Sequence, residues 1–355
     1  MKKTTLRFLI VNGGLLLLAL VCFLVSRSFS GTLESQRAAA RWAGDGELTF
    51  TQLSCFMSED DSLGLGDIYA FRQTLQTKLT QASITAPENG SLFTDAWSSF
   101  GKLHVAGEHG SGEAEVTAVG GNFFLFHPLR LLSGSYIAED DVMDDRVLLD
   151  RELAWRLFGG VELAGMTVTI NERPFVVAGV IEREQDFASK KAATGGMGMY
   201  MSYGAWNALA EDATQPVDCY EIVLPQPVEG FAEDLVKTNF KLGGGELVNN
   251  TARFRTGDVY AVIKEFGTRS MRRNRVIFPG WENAARCVLD WSALFLALAI
   301  VLVICPAVTA LVTGMILLIR LKDYLSGKAP EWVSAAVERS RKRRAETRQQ
   351  GGGGS

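Results

Sequence analysis

Met197, Met199 and Met201 alternate along the chain, so a strand would point all three thioethers the same way, a soft-ligand row suited to Cu(I). The competing reading is a strand packing apolar side chains, with Gly195, Gly196 and Gly198 lending mobility. His104, Glu108 and His109 lie close together, but they do not match the HExxH spacing of a zinc helix, and Gly107 and Gly110 argue for a loop. No serine sits in a GxSxG setting, and no cysteine has a histidine partner that sequence alone selects. The acid pairs Asp60 with Asp61 and Asp140 with Asp141 are what solvated loops and helix caps supply. The expectation is a chain that is not an enzyme and carries no catalytic residue, no cofactor and no metal beyond the methionine row.

The elements that position these residues lie between two apolar runs. Phe8 to Val25 follows Lys2, Lys3 and Arg7 and is long enough for a bilayer core of about 30 Å, and Val25-Ser26-Arg27 is a poor signal-cleavage site. Trp291 to Ile319 carries no charge between Asp290 and Arg320, and tilt or a kink at Pro306 absorbs its extra length. The expected layout is a cytoplasmic N-terminus at 1–7, transmembrane helices at 8–26 and 289–320, and an outer region at 27–288. A basic cytoplasmic tail follows at 321–350, and 351–355 has the composition of an engineered linker. Basic residues beside both spans place both termini in the cytoplasm. Residues 1–7 carry +3, and residues 289–355 hold nine basic against five acidic side chains. With −4 overall, about −11 is left for residues 8–288, which excludes nucleic acid as a partner class.

In the outer region, Glu47 to Phe56 reads as a strand, and Asp67 caps a helix with Ile68, Phe71, Leu75 and Leu79 on one face. Tyr220 to Leu224 reads as a strand, followed by helical patterns at 231–236 and 258–266 with a strand near 247–254 between them. Between these ends, residues 103–182 are dominated by short strands. Asp150 is an N-cap for a two-turn helix bearing Leu153, Leu157 and Phe158 and ending at Gly159. Met166, Val168 and Ile170, then Phe175, Val177 and Gly179, form a hairpin around the turn residues 171–174. The fold class is α+β: a split α/β subdomain from 45–102 plus 215–285, a β-rich insertion at 103–214, and a transmembrane helix on either side. Cys55 and Cys219 end strands of one subdomain and are candidates for a disulfide in an oxidising compartment.

Residues 116–180 resemble the periplasmic core domain of MacB/FtsX-type ABC transporter permeases. The resemblance is carried by Val119 leading into Phe123 and Phe124, by Gly134, Asp140 and Asp141, and by Asp150. It continues through Ala154 to Leu157-Phe158-Gly159 and the closing hairpin Phe175, Val177, Gly179 and Val180. That family's outer domain is similarly split, with a membrane-proximal part built from both ends and a distal inserted part. The resemblance implies a bacterial cytoplasmic membrane location and a permease-like role in transport or mechanotransmission. It implies a cytoplasmic ATPase subunit, a second permease subunit or homodimer, and other envelope proteins as partners. Family permeases carry three spans after the outer domain where this sequence shows one, and no GxxxxGK[ST] loop is present, so the motor is expected on another polypeptide. The alternatives are a non-transporting envelope scaffold, sensor or regulatory subunit with the same outer fold, and, less favoured, a membrane-anchored enzyme. Arg272, Arg273, Arg275, Trp281 and Arg286 precede the second span and read as an interfacial collar, with motion transmission as a second role. In the tail, Trp332 and the cluster Arg341, Lys342, Arg343 and Arg344 read as a lipid anchor or as an ATPase-docking helix.

Overall fold

The computed structural model describes residues 3–44, 48–84, 91–137, 144–192, 196–210, 215–266, 268 and 275–350. The chain divides into two compact units, Leu24–Leu296 and a second made of Met1–Phe23 with Ala297–Ser355. Helix α1 (Lys3–Ser28) leads through two short 3-10 turns to α2 (Ala38–Ala43), β1 (Phe50–Phe56) and α3 (Leu65–Gln81). A long hairpin, β2 (Thr94–Ala106) and β3 (Ser111–Gly121), is followed by α4 (Phe123–Phe126), β4 (Arg130–Gly134), β5 (Arg146–Asp150) and α5 (Arg151–Phe158). Next come the hairpin β6 (Thr167–Ile170) and β7 (Arg173–Glu182), then α6 (Phe187–Ala192), β8 (Met197–Ser202), α7 (Tyr203–Leu209) and β9 (Cys219–Pro225). The series closes with α8 (Phe231–Asn239), β10 (Glu246–Asn249), α9 (Thr256–Glu265) and α10 (Gly280–Gln350).

In the larger unit the strands form one mixed sheet in the order β10-β1-β9-β2-β3-β8-β5-β7-β4, with β6 pairing β2 and β7. Two pairings are parallel, β3 with β8 and β5 with β7. Two main apolar cores sit on this sheet. One, including Leu53, Phe71, Leu75, Tyr220 and Ile222, lies under α3 and α8; the other, including Val147, Leu153, Leu157, Val177 and Met199, lies under α5. The first draws mainly on residues before β2's end and after β8, the second on residues between 103 and 209, though Tyr203 joins the first. The division at 102/103 does not separate two sheets. It falls inside β2, whose Trp97 packs in one core and Val105 in the other. Within the outer region that begins at 27, the segment before position 45 also packs on the sheet, with Ala38 and Ala39 of α2 against Ala96 and Val223.

Local chemistry accounts for the element ends. The Asp150 carboxylate accepts from Leu153 N at 2.7 Å, and Gly159 takes φ 74°, so α5 is capped at both ends, the first cap contributing about 1 kcal/mol. The β6–β7 turn is tight because Asn171 and Glu172 both adopt positive φ. Gly134 ends β4 rather than forming a free turn. At φ 76° its α-carbon lies against the Ala178 carbonyl and Gly179, where a Cβ has no room. Asp67 is a third-position residue and not the cap of α3: Gly64 is the N-cap, and Asp67 Oδ2 accepts from its N–H at 3.1 Å. The four apolar residues expected on one face of α3 are all buried.

Two of the described helices are long and apolar enough to cross a membrane, Leu6–Ser28 and Gly280–Ser326. Helix α10 runs without interruption through Pro306 and on to Gln350, so the tail residues form no separate helix. Asp140, Asp141, Arg272 and Arg273 lie outside the described residues, as does the side chain of Arg344.

Candidate functional site

The candidate site is the face of the sheet that receives the first turns of α10. It begins with strand alternation. In β1, Leu53 and Cys55 turn to the core under α3, so Gln52, Ser54 and Phe56 turn to the other face; in β9, Glu221 and Cys219 do the same opposite Ser54 and Phe56. Every residue of β9 is buried, so its glutamate has no water to face and needs partners.

Those partners form a continuous chain. Glu221 Oε2 lies 2.5 Å from His127 Nε2, and both side chains are 3% exposed. Glu221 Oε1 accepts from Ser54 Oγ at 2.9 Å, and Ser54 Oγ accepts from Asn250 Nδ2 at 2.6 Å. Arg253 Nη1 then donates to Asn250 Oδ1 at 3.3 Å and to Gln36 Oε1 at 3.2 Å. Both terminal nitrogens of Arg253 bind the Glu282 carboxylate, at 2.7 and 2.9 Å, in a bidentate pair. Arg286, one turn along α10, donates to Glu282 Oε1 at 2.7 Å and to Glu246 Oε1 at 2.5 Å, while its guanidinium lies 3.7 Å from the Phe278 ring centre. Glu282 also sits in the first turn of α10, where the helix dipole favours a carboxylate.

Two further contacts tie the chain near α1 and α10 to this same face. Gln52 accepts from Ala38 N at 2.9 Å and donates to Ser35 O at 2.8 Å, holding the segment that follows α1. Trp281 packs its ring on His127 at 4.3 Å, Phe100 at 5.5 Å and Phe123 at 5.8 Å. A cleft of about 640 Å³ opens beside the charged chain, with Glu233, Glu246, Arg253, Asp258 and Glu265 among its walls. Hydrogen bonding from Asn249, then the opposing effect of burial, then Lys237, leave the Glu233 carboxyl below its usual range. Asp218, on the edge of the same region, accepts from Phe100 N at 2.8 Å, yet burial outweighs that bond and pushes its pKa up to about 6.

This arrangement fixes the first turns of α10 on the sheet. Bidentate charge pairs hold two elements in one register, because a displacement of an ångström or two strands a charge away from water. Burial, followed by the nearby Glu221, drives both the Cys55 and Cys219 thiols upward.

The sequence-derived candidates distribute as follows. Trp281 and Arg286 are at the junction, packed into the domain instead of forming a lipid-facing collar, because Trp281 meets aromatic rings and Arg286 meets two carboxylates. Arg275 is apart from them, on the surface, paired with Asp60 at 2.7 Å and with Glu59 at 3.9 Å. Met199 and Met201 are fully buried in the core under α5 and Met197 packs partly against it. The row is therefore part of the core packing. Cys55 and Cys219 are free thiols. Their register, Cys55 opposite Tyr220 and Phe56 opposite Cys219, puts them on opposite faces of the sheet, so no disulfide joins them. Trp332, Arg341, Lys342 and Arg343 are exposed on α10.

Sequence reasoning missed Gln52, Ser54, Glu221, Arg253 and Glu282, and treated His127 as scattered. The available signal was the run Tyr220-Glu221-Ile222: a carboxylate flanked by large apolar residues in a strand with no exposed face calls for a buried partner.

Comparison with known proteins supplies the family. A family model described as the MacB-like periplasmic core domain matches residues 24–229, which include the 116–180 stretch. Among solved structures, the periplasmic region of MacB from Actinobacillus actinomycetemcomitans is 16% identical with a TM-score of 0.43, covering 62% of this chain and 94% of that one. The extracellular domain of the noncanonic ABC-type transporter YknZ from Gram-positive bacteria is 12% identical with a TM-score of 0.38, covering 57% and 99%. No curated protein matches the chain. With the match extending over more than half of the sequence, the chain belongs to the family of the MacB-like periplasmic core domain.

Proposed function

We propose that this protein is a permease-like membrane subunit of an ABC-type transport or mechanotransmission assembly, with its ATPase on a separate polypeptide. Nucleotide-driven movement reaches the apolar helices from the cytoplasmic side, and the sheet domain converts it into opening or closing of an extracytoplasmic surface. The observation that carries this reading is the bidentate Arg253–Glu282 pair with its extension through Arg286 to Glu246. The helix bearing Glu282 and Arg286 is the same helix that becomes the apolar run, so its first turns and the sheet move as one body. The basic stretch Arg341 to Arg344, with Trp332 before it, is the surface assigned to the ATPase in this scheme. The chain itself then performs no chemistry and needs no cofactor.

Purification of the tagged full-length protein in mild detergent tests the proposal. An ATPase and a second permease copy are expected to co-purify, and removal of residues 331–350 is expected to release the ATPase. Recovery of the protein alone, or with a cell-wall partner only, overturns the proposal in favour of an envelope scaffold.

A further inference from the structure

Helix α6 has no part in the charged junction, yet it lies beside the start of the apolar run of α10. Ala188 is buried in a small cluster with Leu33, Ala284, Ala285 and Val288, so one side of α6 is fixed against the first turns of α10. Its other side is open: Phe187 leaves 59% of its surface exposed, and Lys190 and Lys191 are exposed beside it. The Phe187 ring stands edge-on to Trp291 with centres 6.2 Å apart, and Lys191 Nζ lies 5.3 Å from the same ring. The row continues from Trp291 to Phe295 at 6.4 Å, and from Phe295 to Phe29 at 5.8 Å. Phe29 follows directly on α1, whose apolar run ends at Val25 and Arg27. Four aromatic rings therefore form a row that joins α6 to the start of the apolar run of α10 and to the residue after α1.

Aromatic rings at the ends of apolar helices favour the polar boundary of a bilayer, where an apolar ring meets glycerol and headgroups, and lysines beside them reach out to phosphate. Two carboxylates beside α6 are engaged by its own first turn: Asp186 accepts from Ala188 N and Ser189 N, which caps α6 itself, and Glu184 accepts from Ser189 Oγ at 3.0 Å. We infer that α6 is a membrane-docking element: Phe187 inserts into the phospholipid headgroup region of the extracytoplasmic leaflet, with Lys190 and Lys191 on lipid phosphates. This rests on the membrane reading of the two apolar helices. It adds a third point of attachment, one that fixes the domain's height and tilt above the bilayer, where two helices alone leave tilt free.

The test uses the full-length chain with the photo-crosslinking residue benzoylphenylalanine at position 187, in nanodiscs of phosphatidylethanolamine and phosphatidylglycerol. Mass spectrometry after irradiation reads the adducts. Position 311, within the apolar run of α10, serves as the membrane reference, and position 155, an exposed tryptophan on α5, as the remote control. Phospholipid adducts are expected at 187 and 311 and not at 155. The double substitution Lys190→Glu with Lys191→Glu is expected to lower the yield at 187 on the order of tenfold, leaving 311 unchanged. Lipid adducts at 311 with none at 187, or equal yields at 187 and 155, overturn the docking inference alone. No lipid adduct at 311 overturns the membrane reading on which it rests.

Discussion

At the β10–β1–β9 end of the sheet, the face that meets α10 carries Gln52, Ser54 and Glu221, all buried. At the β5–β7 end the strand interiors are apolar on both faces, Val147, Leu149 and Val177 turning to one cluster and Leu148 and Ile181 to another, and charge is confined to the end of β5, where Asp150 accepts from Arg183 Nε at 2.6 Å. The two ends belong to one sheet and are equally dry, but they are held by different forces. Apolar burial contributes about 25 cal/mol per Å² and is indifferent to small sliding. Charged hydrogen bonds are strict about direction and distance, and a buried one that is broken costs more than it contributed when made. The contrast teaches where this molecule specifies position and where it only needs to be filled: the register between α10 and the sheet is specified, and the core under α5 is filled.

The largest effect that breaks this comparison comes from Glu282→Ala. Removing the carboxylate strands the Arg253 guanidinium, which is 8% exposed, and strips Arg286 of one of its two acceptors. The expected loss is roughly 3–5 kcal/mol, read as a shift in the denaturant midpoint of the detergent-solubilised protein. A loss under about 1 kcal/mol, the range of a surface pair, would show that the junction is not a tight coupling.

Met199→Ala probes the other end. Deleting a fully buried side chain from close packing is expected to cost about 2–5 kcal/mol through lost burial and the cavity left behind, with neighbouring Leu153 and Val177 able to relax into part of it. Added Cu(I) is expected to leave the unfolding midpoint of the unsubstituted protein unchanged, and stabilisation by copper would reopen the metal reading of the methionine row.

The smallest effect concerns two carboxylates near the junction. Glu282 is balanced by two arginines, whereas Asp218 has one backbone N–H and is raised to about 6 by burial. Because the folded state holds the Asp218 proton more tightly than the unfolded chain, folded protein binds more protons between the usual carboxylate range near 4 and pH 6. Asp218 therefore makes the protein less stable as pH rises through that window, and the loss is complete above it. Asp218→Asn is expected to remove a slope worth on the order of 1–3 kcal/mol and to stabilise the protein at neutral pH. Unfolding curves at pH 4.5 and 7 measure this, and an unchanged difference between them would overturn the assignment.

Much of the fold was legible in the chain because its signals are local. The Asp150 cap, the Gly159 stop, the 167–182 hairpin and the buried face of α3 each depend on residues within a few positions of one another. The candidate site was legible only in part. Trp281 and Arg286 were noted for their place before the apolar run and read as an interfacial collar or a coupling element, but their partners Phe100, His127 and Glu246 lie elsewhere in the sequence and were not legible. The methionine row shows the limit in another form. Alternation correctly puts three thioethers on one side of a strand, and nothing in that pattern says whether the side faces a ligand or a core.

By itself, then, the sequence determined the apolar helices, the local elements and the membership of the MacB-like family. Those follow from composition, from periodicity and from an ordered series of residues, none of which needs a distant contact. Only the tertiary structure decided that Cys55 and Cys219 face away from each other, that Arg253 meets Glu282 and that Phe187 stands beside Trp291. Each of these depends on register and on which face of the sheet a helix covers. A one-residue slip in strand pairing exchanges the two faces without changing any local pattern.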